Sequence, residues 1–232
     1  MFRIFLISLR DLLNPKILKL SLVPILLSAI LLGAVFYLFQ SNISSLFIYM
    51  TSFIPFIGGT DWFRSSIETI GVVFIYYHLL IIISLMLVGL ISDKVVDIVN
   101  TKHYHLQKLG FGTTQESVII SLKQNIIFVI LLLLLLPTLF IPIVNIIVMV
   151  FLWSIAIKKP MSYDSISTVA TKDEYQKLLS TNKLKTTTLS LLTASLFLIP
   201  ILGILVYILQ LLAFSHFNMS RLQTIRLSKT KD

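Results

Sequence analysis

Four long apolar runs dominate the sequence, and two of them are uninterrupted. The first covers residues 17–39 and the second covers residues 69–91. A helix rises about 1.5 Å per residue, so about 20 apolar residues cross the ~30 Å hydrocarbon core of a bilayer. Both runs are therefore predicted to be transmembrane helices.

The other two runs, residues 126–157 and 189–217, are broken near their middles by proline. Pro137 and Pro142 interrupt the first of them and Pro200 interrupts the second. Proline lacks a backbone donor and clashes with the preceding helical turn. The arms of the first broken run have about 11 to 15 residues, fewer than a full crossing needs. We interpret both runs as helical hairpins that enter the bilayer partly; pairs of short full crossings are the alternative.

Lysine and arginine are concentrated in four of the five segments that flank these runs. These four are the N-terminal segment, residues 93–125, residues 158–186 and the C-terminal tail, whereas residues 41–68 hold a single arginine. Cytoplasmic loops carry an excess of such residues. The charges therefore predict a bacterial inner-membrane protein with both termini in the cytoplasm. No linker composition divides residues 1–232, so a single membrane domain is expected.

The segment before the first crossing has the pattern of an amphipathic helix. Its apolar residues recur three and four positions apart, which places them on one side: Phe2, Phe5, Leu6, Leu9, Leu12 and Leu13. Charged residues are interspersed and no small-residue cleavage site follows, which argues against a secretory signal. We expect a helix that lies in the membrane interface.

Composition excludes a soluble domain. Hydrophobic residues make up 56% of the chain and charged residues 12%, whereas soluble domains carry about 25% charged residues. The net charge of +9 is explained by the segments that flank the membrane runs, so no nucleic-acid partner is predicted. The sequence shows no nucleophile–base pair, nucleotide-binding loop or cysteine. An enzyme and a cofactor are therefore not expected, and the lipid bilayer is the main expected partner.

Lys16 and Lys19, at the start of the first crossing, are the candidate substrate-binding residues. The start of a helix exposes backbone N–H groups that favour anions, so these lysines can form an oxyanion site. The alternative is that both side chains anchor the helix by extending to the headgroup region. The residues alone leave both interpretations open.

The broken runs and a few polar side chains are candidates for a solute path. Backbone groups that Pro142 and Pro200 leave free must be satisfied by protein or a water-filled cavity, and broken helices often line such paths. A packing kink is the alternative. His78 lies near the middle of the second crossing, where an ionisable group is a functional candidate; a neutral histidine bonded to a neighbouring helix is the alternative. Asn145 and Gln210 are expected to form interhelical hydrogen bonds.

The remaining ionisable residues give little indication of a site. His103 and His105 form a His-x-His pair in a predicted loop, but without a third ligand nearby they are interpreted as solvated residues, so no metal site is predicted. All ten acidic residues lie outside the centres of the apolar runs. A solute path would therefore be channel-like rather than coupled to protons or sodium.

The order of these features resembles the CysZ-like (etoposide-induced protein) family of membrane proteins, whose bacterial members are linked to sulfate uptake. Residues 14–19, which lead to Pro24, are similar to the family's Pro-Gly-hydrophobic-Arg-Arg segment. Residues 91–96 stand where the family has a short segment after its second crossing. Residues 139–157, followed by Tyr163-Asp164, and residues 198–202 resemble its two Ile-Pro hairpins.

The resemblance implies two transmembrane helices and two partly inserted hairpins in a homo-oligomer that transports sulfate. One segment departs from the family pattern. Lys19 stands where the family has an arginine that contacts sulfate, Leu18 replaces the other arginine, and Lys16 replaces the glycine. We therefore expect a transporter or channel for a small oxyanion such as sulfate. A non-transporting membrane scaffold or envelope-assembly protein is the alternative.

Overall fold

The computed structural model describes residues 2–52 and 61–229, and regular structure in these ranges is helical throughout. Eight α-helices follow one another along the described chain: α1 Phe2–Leu12, α2 Pro15–Ser52, α3 Asp61–Val99, α4 Thr114–Leu134, α5 Pro142–Asp164, α6 Lys172–Thr181, α7 Lys183–Ala194 and α8 Pro200–Lys229. A π-helical turn, Asn100–Tyr104, follows α3. Two 3-10 segments, Leu136–Phe140 and Ser195–Leu198, precede α5 and α8.

Four helical stretches in the described ranges are long and apolar enough to cross a membrane. They are Pro15–Phe39, Glu68–Tyr104, Thr114–Leu134 and Ile143–Asp164. The first two contain the two predicted crossings. The structure therefore confirms an all-helical membrane protein.

Several helices extend well beyond their apolar runs. Residues 41–68 were expected to form a loop, but α2 continues to Ser52 and α3 already begins at Asp61. Residues 53–60 lie outside the described part. The prediction ended α2 too early and began α3 too late, because an apolar run marks contact with lipid, whereas a helix can continue through exposed polar residues.

The arms of the two hairpins differ in length, and the first hairpin is longer than the sequence estimate. Helix α4 has 21 residues, or about 31 Å, because the polar segment that begins at Thr114 is already helical. The estimate of 11 to 15 residues per arm was therefore too short for the first hairpin. Helix α7, in contrast, has 12 residues, or about 18 Å. The partial insertion of both hairpins stays a prediction.

The two predicted turns are present and are built alike. Each has a 3-10 segment, then one extended residue, then a proline that opens the next helix. Ile141 has φ −101° and ψ 107°, and Ile199 has φ −102° and ψ 101°. A residue before proline is restricted to the extended region, and proline suits the first helical position. The breaks at Pro142 and Pro200 are therefore confirmed as helix–turn–helix connections.

The chain forms two compact units, Met1–Val23 with Leu85–Asp232 and Pro24–Ser84. In the first unit, every residue of α8 from Val206 to Met219 is buried, and α1, α5, α6 and α7 pack against this helix. In the second unit, Ser84 Oγ donates to Ser28 Oγ at 3.1 Å. The single membrane domain stays a prediction.

Candidate functional sites

Lys16 and Lys19 lie in the first turns of α2, and both side chains are exposed. The side chain of Asn14 caps the helix start, because its Oδ1 accepts from the backbone N–H of Lys16 at 3.0 Å. One of the N–H groups that could have faced an anion is therefore already bonded. The two exposed ammonium groups remain as the candidate oxyanion ligands.

Helix α1 is amphipathic as predicted, and its buried residues include two polar ones. Ser8 and Asp11 are buried, while Phe2, Leu6 and Leu9 are exposed. The helix packs against α8. An apolar face that points outward is what a helix in the membrane interface needs.

Asp11 is the centre of a cluster at this contact. Its Oδ1 lies 2.6 Å from Lys102 Nζ, and its Oδ2 lies 2.7 Å from His103 Nε2 and 3.1 Å from His216 Nε2. Burial alone would raise the pKa of the Asp11 carboxyl. The hydrogen bonds and charges of Lys102 and His103 outweigh burial, so this pKa lies below its ordinary value.

The π-helical turn Asn100–Tyr104 brings three consecutive side chains to this cluster. The side-chain amide of Asn100 donates to the carbonyl of Leu106 and accepts from its N–H, both at 2.9 Å. His105 then takes a left-handed conformation with φ 53°. This closed turn directs Lys102 and His103 to Asp11 and Tyr104 to His216. Such π-helical turns are frequent at functional sites.

The interpretation of His103 as a solvated residue is corrected here. His105 is exposed, but His103 is not simply a solvated loop residue, because it contacts Asp11. The groups that meet here are far apart in the sequence, since Asp11 lies 92 positions before His103 and 205 positions before His216. The only signals were Asp11 on the polar side of α1 and His216 inside an apolar run.

A second buried carboxylate, that of Asp164 at the end of α5, joins the two helices of the first hairpin by a hydrogen bond to α4. Asp164 is fully buried, and its Oδ1 accepts from Ser117 Oγ at 2.5 Å. Ser117 in turn lies against Gly89, where an added Cβ would overlap the serine side chain. The acidic residues of the described part therefore lie away from the centres of the apolar runs, as predicted, but Asp11, Asp164 and Glu174 are buried inside the protein.

A basic cavity lies between α5, α6 and α7. Its volume is about 400 Å³, and Lys158, Lys159 and Lys183 line it together with Ser162 and Thr186. Lys158 Nζ donates to Thr187 Oγ1 at 2.6 Å. The lysine pair at residues 158–159 is recognisable in the sequence. That Lys183 lines the same cavity is not, because α6 lies between these residues in the chain.

The other predicted site residues are placed as follows. His78 is buried and its ring meets that of Tyr77 edge-on, with centroids 5.5 Å apart. Asn145 is half-buried in the first turn of α5, where its backbone N–H donates to Ile141. Lys16, Lys19 and Asn145 do not line the basic cavity.

Gln210 forms the expected interhelical hydrogen bond. Its Nε2 donates to the backbone carbonyl of Thr193 at 3.2 Å, which joins α8 to α7. Pro142 and Pro200 open their helices, and whether they lie along a solute path stays a prediction.

Long apolar helices, Pro-opened hairpins and basic segments at helix ends define a polytopic α-helical membrane protein. The family model described as sulfate transporter CysZ/etoposide-induced protein 2.4 matches residues 4–207. The chain belongs to this family, which confirms the resemblance seen in the sequence. No curated protein and no solved structure matches it.

Proposed function

We propose that this protein is an inner-membrane transporter or channel for a small oxyanion, with sulfate as the first substrate to test. The observation that carries the proposal is the family match over residues 4–207. The family is described as a sulfate transporter family, and the match includes the lysines at the start of α2.

Lys16 and Lys19 are the proposed substrate-binding residues. Both ammonium groups are exposed at a helix start, where the helix dipole also favours an anion. Lysine contacts an oxyanion as a point charge, whereas arginine offers two parallel hydrogen bonds. We therefore expect weaker and less selective binding than an arginine pair would give.

The hairpins are proposed to line or support the path. Pro142 and Pro200 open the helices that follow the turns, and His78 and Asn145 are the polar residues proposed to lie along the path. The buried carboxylates of the described part, Asp11, Asp164 and Glu174, lie near helix ends. A path driven by the gradient of the solute fits this placement better than a proton-coupled carrier does.

The proposed assembly is a homo-oligomer in a bacterial inner membrane, with both termini in the cytoplasm. The charge distribution supports this orientation. Apolar residues of α5, including Ile143, Ile147 and Phe151, are exposed on a single chain. Lipid or a second copy of the chain can cover such a face.

Uptake of radiolabelled sulfate into proteoliposomes tests the proposal. The intact protein is compared with a Lys16→Ala/Lys19→Ala variant. The matched control is Lys94→Ala/Lys177→Ala, which removes the same charge from two other exposed positions. A third variant, Lys158→Ala/Lys183→Ala, removes two cations of the basic cavity.

We expect uptake by the intact protein and the control, and uptake reduced by about 10-fold or more without Lys16 and Lys19, as for the loss of ~1.4 kcal/mol of binding free energy. Loss only in the third variant would move the binding site to the basic cavity. Folded protein that gives no uptake of sulfate in any form would contradict sulfate transport and favour the scaffold alternative.

A further inference from the structure

The cluster of Asp11, His103 and His216 has the donor set of a transition-metal site. One carboxylate oxygen and two imidazole nitrogens lie within 4.8 Å of one another, and they come from α1, the π-helical turn and α8. Two histidines and one carboxylate, with an open position, are a common ligand set for Zn²⁺ and Fe²⁺. We propose that these three residues bind a divalent transition-metal ion, and zinc is the ion to be tested.

The hydrogen bonds of His216 direct a free lone pair toward Asp11. The hydroxyl of Tyr104 lies 3.1 Å from the His216 carbonyl oxygen and 3.1 Å from His216 Nδ1. A carbonyl only accepts, so it takes the single hydroxyl hydrogen, and Nδ1–H must then donate to the hydroxyl oxygen. In the neutral ring, Nε2 is therefore unprotonated.

That lone pair faces another acceptor. His216 Nε2 lies 3.1 Å from Asp11 Oδ2, which is buried and negatively charged. Two acceptors at this distance repel unless a cation lies between them. A second proton on the His216 ring would relieve this repulsion. A metal ion would relieve it as well and would also bind His103 Nε2, which lies 2.7 Å from the same oxygen.

The distances are close to those of a metal site. Zinc lies about 2.0–2.2 Å from nitrogen and oxygen ligands, which places the ligand atoms of a tetrahedron about 3.3 Å apart. The two distances to Oδ2, 2.7 and 3.1 Å, need to open by roughly 0.6 and 0.2 Å to reach this spacing. His103 lies in the exposed turn and can make this adjustment.

The surrounding groups also fit a metal centre. Lys102 holds Oδ1 of Asp11 and so leaves Oδ2 as a single ligand atom, while Tyr104 fixes the ring of His216. Such supporting hydrogen bonds are typical of metal sites. A cavity of about 320 Å³ opens beside the two histidines and is lined by Arg3 and Ser220. The charge of Arg3 favours an anion as the fourth ligand.

A bound ion would tie together three segments that are far apart in the sequence. Because it binds the folded state, it would stabilise the contact of α1 with α8 and of both with the turn after α3. This role does not depend on sulfate transport.

The test is zinc binding by the full-length protein, purified in detergent and stripped of metal. Metal content is measured after dialysis against Zn²⁺, and affinity is measured by competition with a chromophoric chelator. We expect one zinc ion per chain. His103→Gln should weaken binding by at least about 100-fold and Tyr104→Phe by about 10- to 100-fold, since it removes a supporting hydrogen bond.

His105→Gln is the matched control, because His105 directly follows the same turn, is exposed and is not part of the cluster. It should bind zinc like the intact protein. Thermal unfolding without metal checks that His103→Gln is folded, and added Zn²⁺ should raise the Tm of the intact protein but not of this variant. Equal zinc binding by the intact protein and folded His103→Gln, or no binding by the intact protein, would overturn the proposal.

Discussion

The two hairpins share one turn design but differ in their surroundings. In both, a 3-10 segment and one extended isoleucine lead to a proline that opens the next helix. The first hairpin, α4 with α5, exposes much of its apolar surface, with Leu134 and Ile143 on either side of the turn largely exposed. The second contributes α8, which is buried along 206–219. Local sequence therefore specifies the turn, whereas packing decides which hairpin forms the core.

Trp153 is one of the side chains that connect the two hairpins. The ring of Trp153, on α5, lies 4.5 Å from that of Phe128 on α4 and 4.6 Å from that of Phe197 in the second turn, centroid to centroid. All three are buried. The first hairpin is thus joined to the second by a row of three aromatic rings.

Trp153→Ala should have the largest effect. It removes both ring contacts and leaves a cavity between the hairpins, so we expect a loss of about 3–5 kcal/mol in the free energy of unfolding. Unfolding by SDS in mixed micelles measures this. Phe151→Ala, on the same helix but exposed, is the control and should change stability by less than about 1 kcal/mol. Equal losses would show that the ring row does not join the hairpins.

Arg226→Ala should have the next largest effect, at the base of the second hairpin. Arg226 bonds both carboxylate oxygens of Glu174 at 2.9 Å and also the carbonyls of Gln107 and Val169. Its loss leaves Glu174 buried without its cation, so we expect a cost of about 3 kcal/mol. Arg221→Ala, which removes an arginine stacked over Phe217, is the control and should cost under about 1 kcal/mol. The free energy of unfolding of both variants is measured in SDS as above. Equal losses in the two variants would contradict the expected role of the Arg226–Glu174 ion pair.

Equivalent glutamines allow a finer comparison. Gln124 donates to the carbonyl of Ile155 in the first hairpin, and Gln210 donates to that of Thr193 in the second, both at 3.2 Å. Gln124→Leu should cost about 0.6–1.7 kcal/mol, as interhelical hydrogen bonds in membranes do.

Gln210→Leu should be neutral or stabilising by up to about 1 kcal/mol. It loses a similar bond but also removes Oε1, which is buried with no hydrogen-bond partner among the described residues. SDS unfolding of both variants measures the difference. A larger cost at Gln210 than at Gln124 would mean that this oxygen is satisfied in the membrane.

The last comparison concerns the depth of the turns and should not alter stability. The chain has no cysteine, so Ile141→Cys and Ile199→Cys, at equivalent exposed positions, each introduce one thiol. If both hairpins stop inside the bilayer, an impermeant maleimide added outside should label neither. Ser45→Cys, in the segment expected outside, is the positive control. If Ile141→Cys is labelled as fast as Ser45→Cys, the first turn is accessible from outside and the first hairpin is a pair of full crossings.

The sequence predicted the architecture where one residue pattern decides it. Apolar runs located the crossings, and Pro142 and Pro200 located the turns, because lipid contact and proline geometry act on neighbouring residues. The pattern did not show that polar segments such as the one from Thr114 are helical. Apolarity also could not separate the exposed hairpin from the buried one, since both environments favour the same side chains.

The candidate sites were predicted unevenly for a similar reason. Lys16 and Lys19 are close in sequence and could be recognised together. Asp11, His103 and His216 come together only through the packing of α1 and α8 and the closed turn after α3. A pattern search along the chain cannot show such a convergence.

The contact of Asp11 with His216 also has a consequence for biosynthesis. Asp11 is translated before its contact His216, which lies 205 residues further along the chain. At about 5–20 residues per second, the ribosome needs roughly 10–40 s to supply it. During this interval α1 can rest on the membrane by its apolar face while its carboxylate stays hydrated. When α8 is translated, His216 becomes available and the contact between α1 and α8 can form.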